Sequence, residues 1–232
     1  MNRQRESVLV VAAHPDDEVL GCGGAMAFHA DRGDDVRVII VAQGEVSRLD
    51  APSVASQGTS DALADAARAA SAVLGVSDVT LLGLPDNQLD ALPLLQVVKP
   101  IERIVAQYRP SIVYTHHFGD LNVDHRVVHG AVLTACRPLP GSSVRVIRCF
   151  EVPSSTEWNT PSGSLAFAPN CHMDVSLQLS RKLDALREYP MEMRPFPHAR
   201  SYEAVEALAR WRGASVGLDA AEAFMSVREI VS

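Results

Sequence analysis

"VLVVAAHPDDEVLGCGG", residues 8–24, is the stretch on which the reading of this chain turns. Its first residues, Val8 to Ala13, are all apolar, with the length and β-branched content of a strand buried on both faces. The run passes directly into His14, Pro15 and the acids Asp16, Asp17 and Glu18. Charge at the end of a buried strand is costly unless something pairs with it or coordinates it.

Outward from this stretch, strand and helix patterns alternate. Residues 23–33 read as a helix stopped by Gly33, and Val36–Ala42 as a second buried strand. Residues 44–60 are rich in Ser, Gly, Pro and Asp, lack any period, and read as a long loop. The alanine-rich stretch 60–75 sets Leu63, Ala67, Ala70 and Leu74 on one helical face, with Gly75 as the stop. Further strands are expected over 79–86, 111–117 and 145–152, with helices over 93–110 and 124–138; Pro100 allows a kink or a fresh start. A loop over 153–174 then leads to helices near 176–189 and 201–213 and a last strand over 223–230. This order predicts a doubly wound α/β fold, Rossmann-like, with a mainly parallel sheet, helices on both faces and a C-terminal elaboration. No internal repeat or linker divides the chain, so residues 1–232 read as one domain.

Composition narrows the function classes. A hydrophobic share of 47% supplies a full core, and no apolar run approaches the length of a membrane span. Net charge is −7 and the basic residues are scattered, so nucleic acid is not expected as a partner. Cys22, Cys136, Cys149 and Cys171 show no CxxC spacing, which fits free thiols in a reducing compartment. The acids after Ala13 interrupt any signal-peptide core, and a cytoplasmic location is expected. Homo-oligomerisation is left open.

In open α/β sheets, ligands bind outside the carboxyl ends of the strands, where strand order reverses. Two loops rich in histidine and acid stand at such ends: "HPDDE" after the first strand and "HHFGDLNVDH", residues 116–125, after the fourth. The spacing of His14 and Asp17 lets them face the same side, while Asp16 must point elsewhere. One imidazole and one carboxylate here, with an imidazole from the other loop, would make a site with an open position, as catalytic zinc uses. Asp16 could then take a proton from water. For the third ligand, His116, His117, His125 and His129 all remain open on spacing alone. His129, although spacing does not exclude it, reads like His29 and Cys22 as a structural residue.

"AAHPDDEVLGCGG" together with "GDLNVDH" resembles the PIG-L/LmbE-like zinc-dependent N-deacetylases. "GLPDNQL", "DHRVV" and "AEAFMSVREI" extend the resemblance over most of the chain. The resemblance implies zinc bound by His14, Asp17 and His125, with Asp16 as general base and then acid. It implies an N-acetylated amino sugar as substrate, attached to a lipid, thiol conjugate or nucleotide. One position departs: where many members have a histidine three residues before the last ligand, this chain has Asn122. Asparagine can donate to an oxyanion but supplies no proton, so the leaving amine must draw on Asp16 or on another group such as His117 or His198. Asp124 is expected to orient a neighbouring side chain or cap its helix.

Two competing classes fail on the residues. A dinucleotide fingerprint needs a third glycine where Met26 stands, and acids leading the loop would repel a pyrophosphate. A scaffold module would make the matched placement of two charged loops a coincidence. A zinc amidase acting on a non-sugar acyl amide, such as an acylated antibiotic, remains the alternative. For the rest of the substrate, His198 and Arg200 precede a helix with Ser201 as its N-cap, which suggests a phosphate site that Arg48 could reach. The alternative there is that Arg200 pairs with a surface acid such as Glu203. Trp158 is a candidate sugar-stacking wall.

Overall fold

Strand β1 (Ser7–Ala12) shows how its own sequence places it at the centre. Val8 and Val10 enter one hydrophobic cluster and Leu9 and Val11 the other, all of them fully buried. Alternate residues point to opposite faces of a strand, so an unbroken apolar run feeds two cores at once. Complete burial of one such side chain stabilises the fold by about 1.5–3 kcal/mol.

The computed structural model describes residues 5–44, 57–160 and 163–231. Its sheet also contains β2 (Asp35–Ala42), β3 (Asp78–Leu84), β4 (Ile112–His116), β5 (Val146–Phe150), β6 (Cys171–Asp174) and β7 (Ala221–Glu229). The order is β3-β2-β1-β4-β5-β7-β6. Pairs among β1 to β5 are parallel, and β7 runs antiparallel to both β5 and β6. The expected doubly wound fold is therefore present, with a mixed C-terminal edge added. The short strand β6 falls inside the expected loop over 153–174.

Helices α1 (Asp17–Asp31), α2 (Gln57–Val73) and α5 (Leu179–Arg187) cover one face, and α3 (Leu94–Tyr108) and α4 (Val123–Ala135) the other. Helix α6 (Tyr202–Ala214) packs Ala209 with Val175, Leu179 and Ala220. Helix α2 starts earlier than its alanine run suggests, and α3 continues through Pro100. Among the described residues the cysteines are free, and no helix is long and apolar enough to cross a membrane.

Helix α1 is broken at Cys22 (φ −149°, ψ 27°). The break has identifiable partners. Glu222 on β7 accepts the Gly24 and Ala25 N–H groups at 2.8 and 2.7 Å, while Lys182 donates to the Leu20 carbonyl at 2.9 Å and to Glu222 at 2.6 Å. A buried ion pair thus satisfies the polar backbone groups that the break leaves open. The glycines beside it serve packing: a Cβ on Gly21 would lie 2.3 Å from the Phe150 ring, and one on Gly24 2.9 Å from Val175.

Candidate metal centre and catalytic carboxylate

Because β1 pairs directly with β4, Val11 opposite Thr115, the loops that follow these strands emerge side by side. That is the reversal point of the strand order, and it brings His14, Asp17 and His125 together. Asp17 Oδ2 lies 3.2 Å from His14 Nδ1 and 3.1 Å from His125 Nε2, and it accepts the His14 N–H at 2.9 Å. Asp17 Oδ1 is buried with no hydrogen-bond partner among the described residues. Two imidazole nitrogens and a carboxylate whose second oxygen is buried and orphaned form a donor set that suits a divalent ion.

Each histidine is set by a carboxylate behind it. His14 Nε2 is 3.1 Å from Asp124 Oδ2 and 3.1 Å from Asp86 Oδ1. A proton on that nitrogen leaves the Nδ1 lone pair facing Asp17. Asp124 itself is anchored by the Asn87 and Leu89 N–H groups at 2.7 and 3.0 Å. His14, Asp86 and Asp124 form a second group with ligand spacing, but their oxygens already take N–H donors, so this group orients His14. His125 Nδ1 stands 3.1 Å from Asp120 Oδ1. Asp120 is buried and also accepts the Ser155 and Thr156 hydroxyls. Those donors and His125 overcome the upward push of burial and hold the Asp120 carboxyl down at about 2.

The other histidines separate by their partners. His116 Nε2 accepts the Ala13 N–H at 2.8 Å, so its lone pair is already used, and burial lowers its pKa well below the usual value. The ring stacks on His125 at 3.9 Å between centroids. His129 Nδ1 is 2.9 Å from the His116 carbonyl. His117, expected at the substrate, is buried with Nε2 2.9 Å from the Leu165 carbonyl, which gives that nitrogen a backbone partner instead. His29 is buried between Asp34 and Tyr114.

Asp16 is buried and is not among the three grouped donors; its Oδ2 faces Arg200. Burial raises its carboxyl above the ordinary carboxylate range, against the opposing pull of Arg200. Arg200 Nη1 lies 2.7 Å from Asp16 Oδ2 and 3.4 Å from Glu192, and Nε donates to Ser154 Oγ at 2.6 Å. Of the arginine expected at a phosphate site, Nη1 thus faces two carboxylates and Nε a hydroxyl. The alternative partner, Glu203, is replaced by Asp16. Ser201 caps α6 as expected, accepting the Ala204 N–H at 3.0 Å. Arg48 lies outside the described residues.

Asn122 is the N-cap of α4: Oδ1 accepts the Asp124 N–H at 2.8 Å, and Nδ2 donates to Asn87 Oδ1 at 3.2 Å. His198 Nδ1 accepts the Arg200 N–H at 3.0 Å, and its ring meets Trp158 edge-on at 5.7 Å. Trp158 is half-exposed. Sequence reasoning passed over Asp120, Asp86, Glu18 and Glu222. Asp86 and Glu222 stood within segments already noted, and Asp120 stands five residues before His125; no spacing rule singles out Glu18.

Residues 9–136 match the family model described as PIG-L, GlcNAc-PI de-N-acetylase. A probable N-acetyl-alpha-D-glucosaminyl L-malate deacetylase 2 of Bacillus cereus is 27% identical over 88% of this chain and 93% of its own length. The N,N'-diacetylchitobiose deacetylase of Pyrococcus horikoshii shares the fold at TM-score 0.76 and 20% identity, covering 96% of this chain and 84% of that one. So does GalB, a 4-carboxy-2-hydroxymuconate hydratase of Pseudomonas putida, at TM-score 0.77 and 21% identity, with 98% of both chains covered. The fold therefore hosts more than one reaction, and the reaction must be argued from the site. With the family model spanning more than half of its length, and with the motif residues of that match gathered at one strand reversal, the chain belongs to the PIG-L family of de-N-acetylases.

Proposed function

We propose that this protein hydrolyses the acetamide of an N-acetylated amino sugar, with His14, Asp17 and His125 holding a zinc ion and Asp16 carrying the proton. The observation behind this reading is the convergence of those three donors beside a buried carboxylate that takes no part in the cluster. A bound zinc supplies Lewis acidity, polarising the amide carbonyl and making water acidic enough to attack near neutral pH. Arg200 binds Asp16 Oδ2, which leaves Oδ1 to accept a proton from the attacking water and pass it to the departing amine. The raised carboxyl pKa suits both halves of that transfer. Asn122 keeps its carbonyl for the helix cap and one Nδ2 hydrogen for Asn87 Oδ1, and the second Nδ2 hydrogen donates to the developing oxyanion. Asp124 fixes the tautomer of His14. At the rim, His198 and Trp158 offer an edge and a face to the sugar ring. His117 contributes by holding the turn at Leu165.

The family description and the Bacillus cereus relative both point to glucosaminyl substrates, and this supports the sugar reading. The test is acetate release by zinc-loaded protein from a panel of N-acetyl hexosamines, their glycosides and non-sugar acyl amides. Turnover of the sugars that stops on chelation is expected. Turnover of the acyl amides alone would move the assignment to the amidase alternative.

A further inference from the structure

We propose that the segment from Tyr189 to Arg200 positions Asp16, holding its backbone through Tyr189 and Glu18 and its carboxylate through Arg200. This rests on the role given to Asp16 above, and it adds residues that lie outside the matched span 9–136.

Asp16 has φ 108° and ψ −32°. A residue with a Cβ is disfavoured there and persists only where its surroundings hold it. The holding groups are identifiable. The Asp16 N–H donates to Glu18 Oε2 at 3.1 Å, and Glu18 Oε1 accepts the Tyr189 hydroxyl at 2.5 Å. Glu18 is fully buried and its named partners are O–H and N–H donors rather than a cation. Glu18 accepts a local N–H with one oxygen and a distant hydroxyl with the other, and so links Tyr189 to the backbone of Asp16.

A second arm reaches the side chain. Arg200 binds Asp16 Oδ2 at 2.7 Å while Ser154 and Glu192 hold the guanidinium from other sides. Tyr189 is 171 residues from Glu18 and Arg200 is 184 from Asp16, so neither contact follows from local folding. Both arms end on one residue, and among the described residues neither hydrogen-bonds or ion-pairs with His14, Asp17 or His125. Loss of either arm should therefore disturb proton transfer while leaving metal binding in place.

Tyr189→Phe removes one hydroxyl, and Arg200→Lys keeps the charge but loses the planar fork that spans Ser154 and Asp16. Each would be assayed zinc-loaded on phenyl 2-acetamido-2-deoxy-glucopyranoside, with metal stoichiometry and exchange of the Asp16 amide measured in parallel. The expected result is a kcat lowered about 10–100-fold, as for displacements on the order of 1 Å, with KM and metal content unchanged. Asp16 amide exchange should speed up in Tyr189→Phe. The double variant should lose less than the product of the single losses, because both arms serve one residue. Glu18→Gln should keep more kcat than Glu18→Ala, since the amide oxygen can still accept the Asp16 N–H. A Tyr189→Phe protein with wild-type kcat and unchanged Asp16 exchange would overturn the proposal. So would losses confined to KM. Asp16→Asn in the same assay separates the two readings: full activity there removes the role of Asp16 itself. An inactive Asp16→Asn beside a normal Tyr189→Phe removes only the brace. On a probe that is not turned over, the exchange measurement alone decides.

Discussion

Asp124 Oδ2 stands 3.1 Å from His14 Nε2, and that contact decides which nitrogen of His14 faces Asp17 and His125. Replacing Asp124 by Asn keeps the size but weakens the preference for a proton on Nε2, leaving Asp86 Oδ1 as the carboxylate oxygen at 3.1 Å. Metal affinity should fall about 10–100-fold, as for other carboxylates placed behind a histidine ligand. A zinc titration against a competing chelator measures it. Unchanged affinity would show that His14 needs no such support.

The roles of the adjacent acids separate cleanly. Asp16→Asn should retain metal and lose about two to four orders of magnitude in rate, since an amide cannot take the proton. Asp17→Asn and His125→Ala should lose most of the metal with the fold intact by circular dichroism. Retention of metal by Asp17→Asn and its loss from Asp16→Asn would reverse the two assignments.

Metal binding should strengthen with pH. Burial lowers the pKa of His125, but the Asp17 and Asp120 carboxylates outweigh it and hold the imidazole up at about 9. In the metal-free protein this ring is therefore protonated through the neutral range, and an entering ion must displace the proton. Zinc affinity should rise from pH 6 to about 9 and then level off. A pH-independent affinity in calorimetric titrations would contradict this.

Asn122 has two jobs, and one substitution should report both. Asn122→Ala removes the α4 cap and should cost about 1 kcal/mol of stability, read as a lower Tm. It should also reduce turnover by about two to three orders of magnitude, as for other oxyanion donors. Asn122→His should recover much of the turnover. A variant that loses stability but no rate would confine Asn122 to capping.

The central sheet was legible because its signal is local: Val8–Ala13, Val36–Ala42 and residues 111–117 are apolar enough to be buried wherever they lie. Strand β6 was not, since Cys171–Asp174 is short, half-exposed and defined by its pairing with β7. The grouping of His14, Asp17 and His125, which could hold a metal ion, was legible through the family motif and strand-end placement, although spacing alone left four histidines in play for the third position. His116 and His117 could be sorted only by their partners, the Ala13 N–H and the Leu165 carbonyl, which no spacing reveals. The same holds for Arg200, whose pairing with Asp16 spans 184 residues and follows from no spacing.

The break in α1 sets an order of events during synthesis. The N–H groups of Gly24 and Ala25 wait for a carboxylate that the ribosome adds about two hundred residues later, on Glu222. Until β7 has docked, the helix that carries Asp17 has open polar backbone at its break. A contact so distant in sequence is slow to form. A nascent chain therefore contains His14, Asp17 and His125 long before the break in α1 is satisfied, and a chain truncated ahead of β7 is expected to carry the motif with that backbone left open.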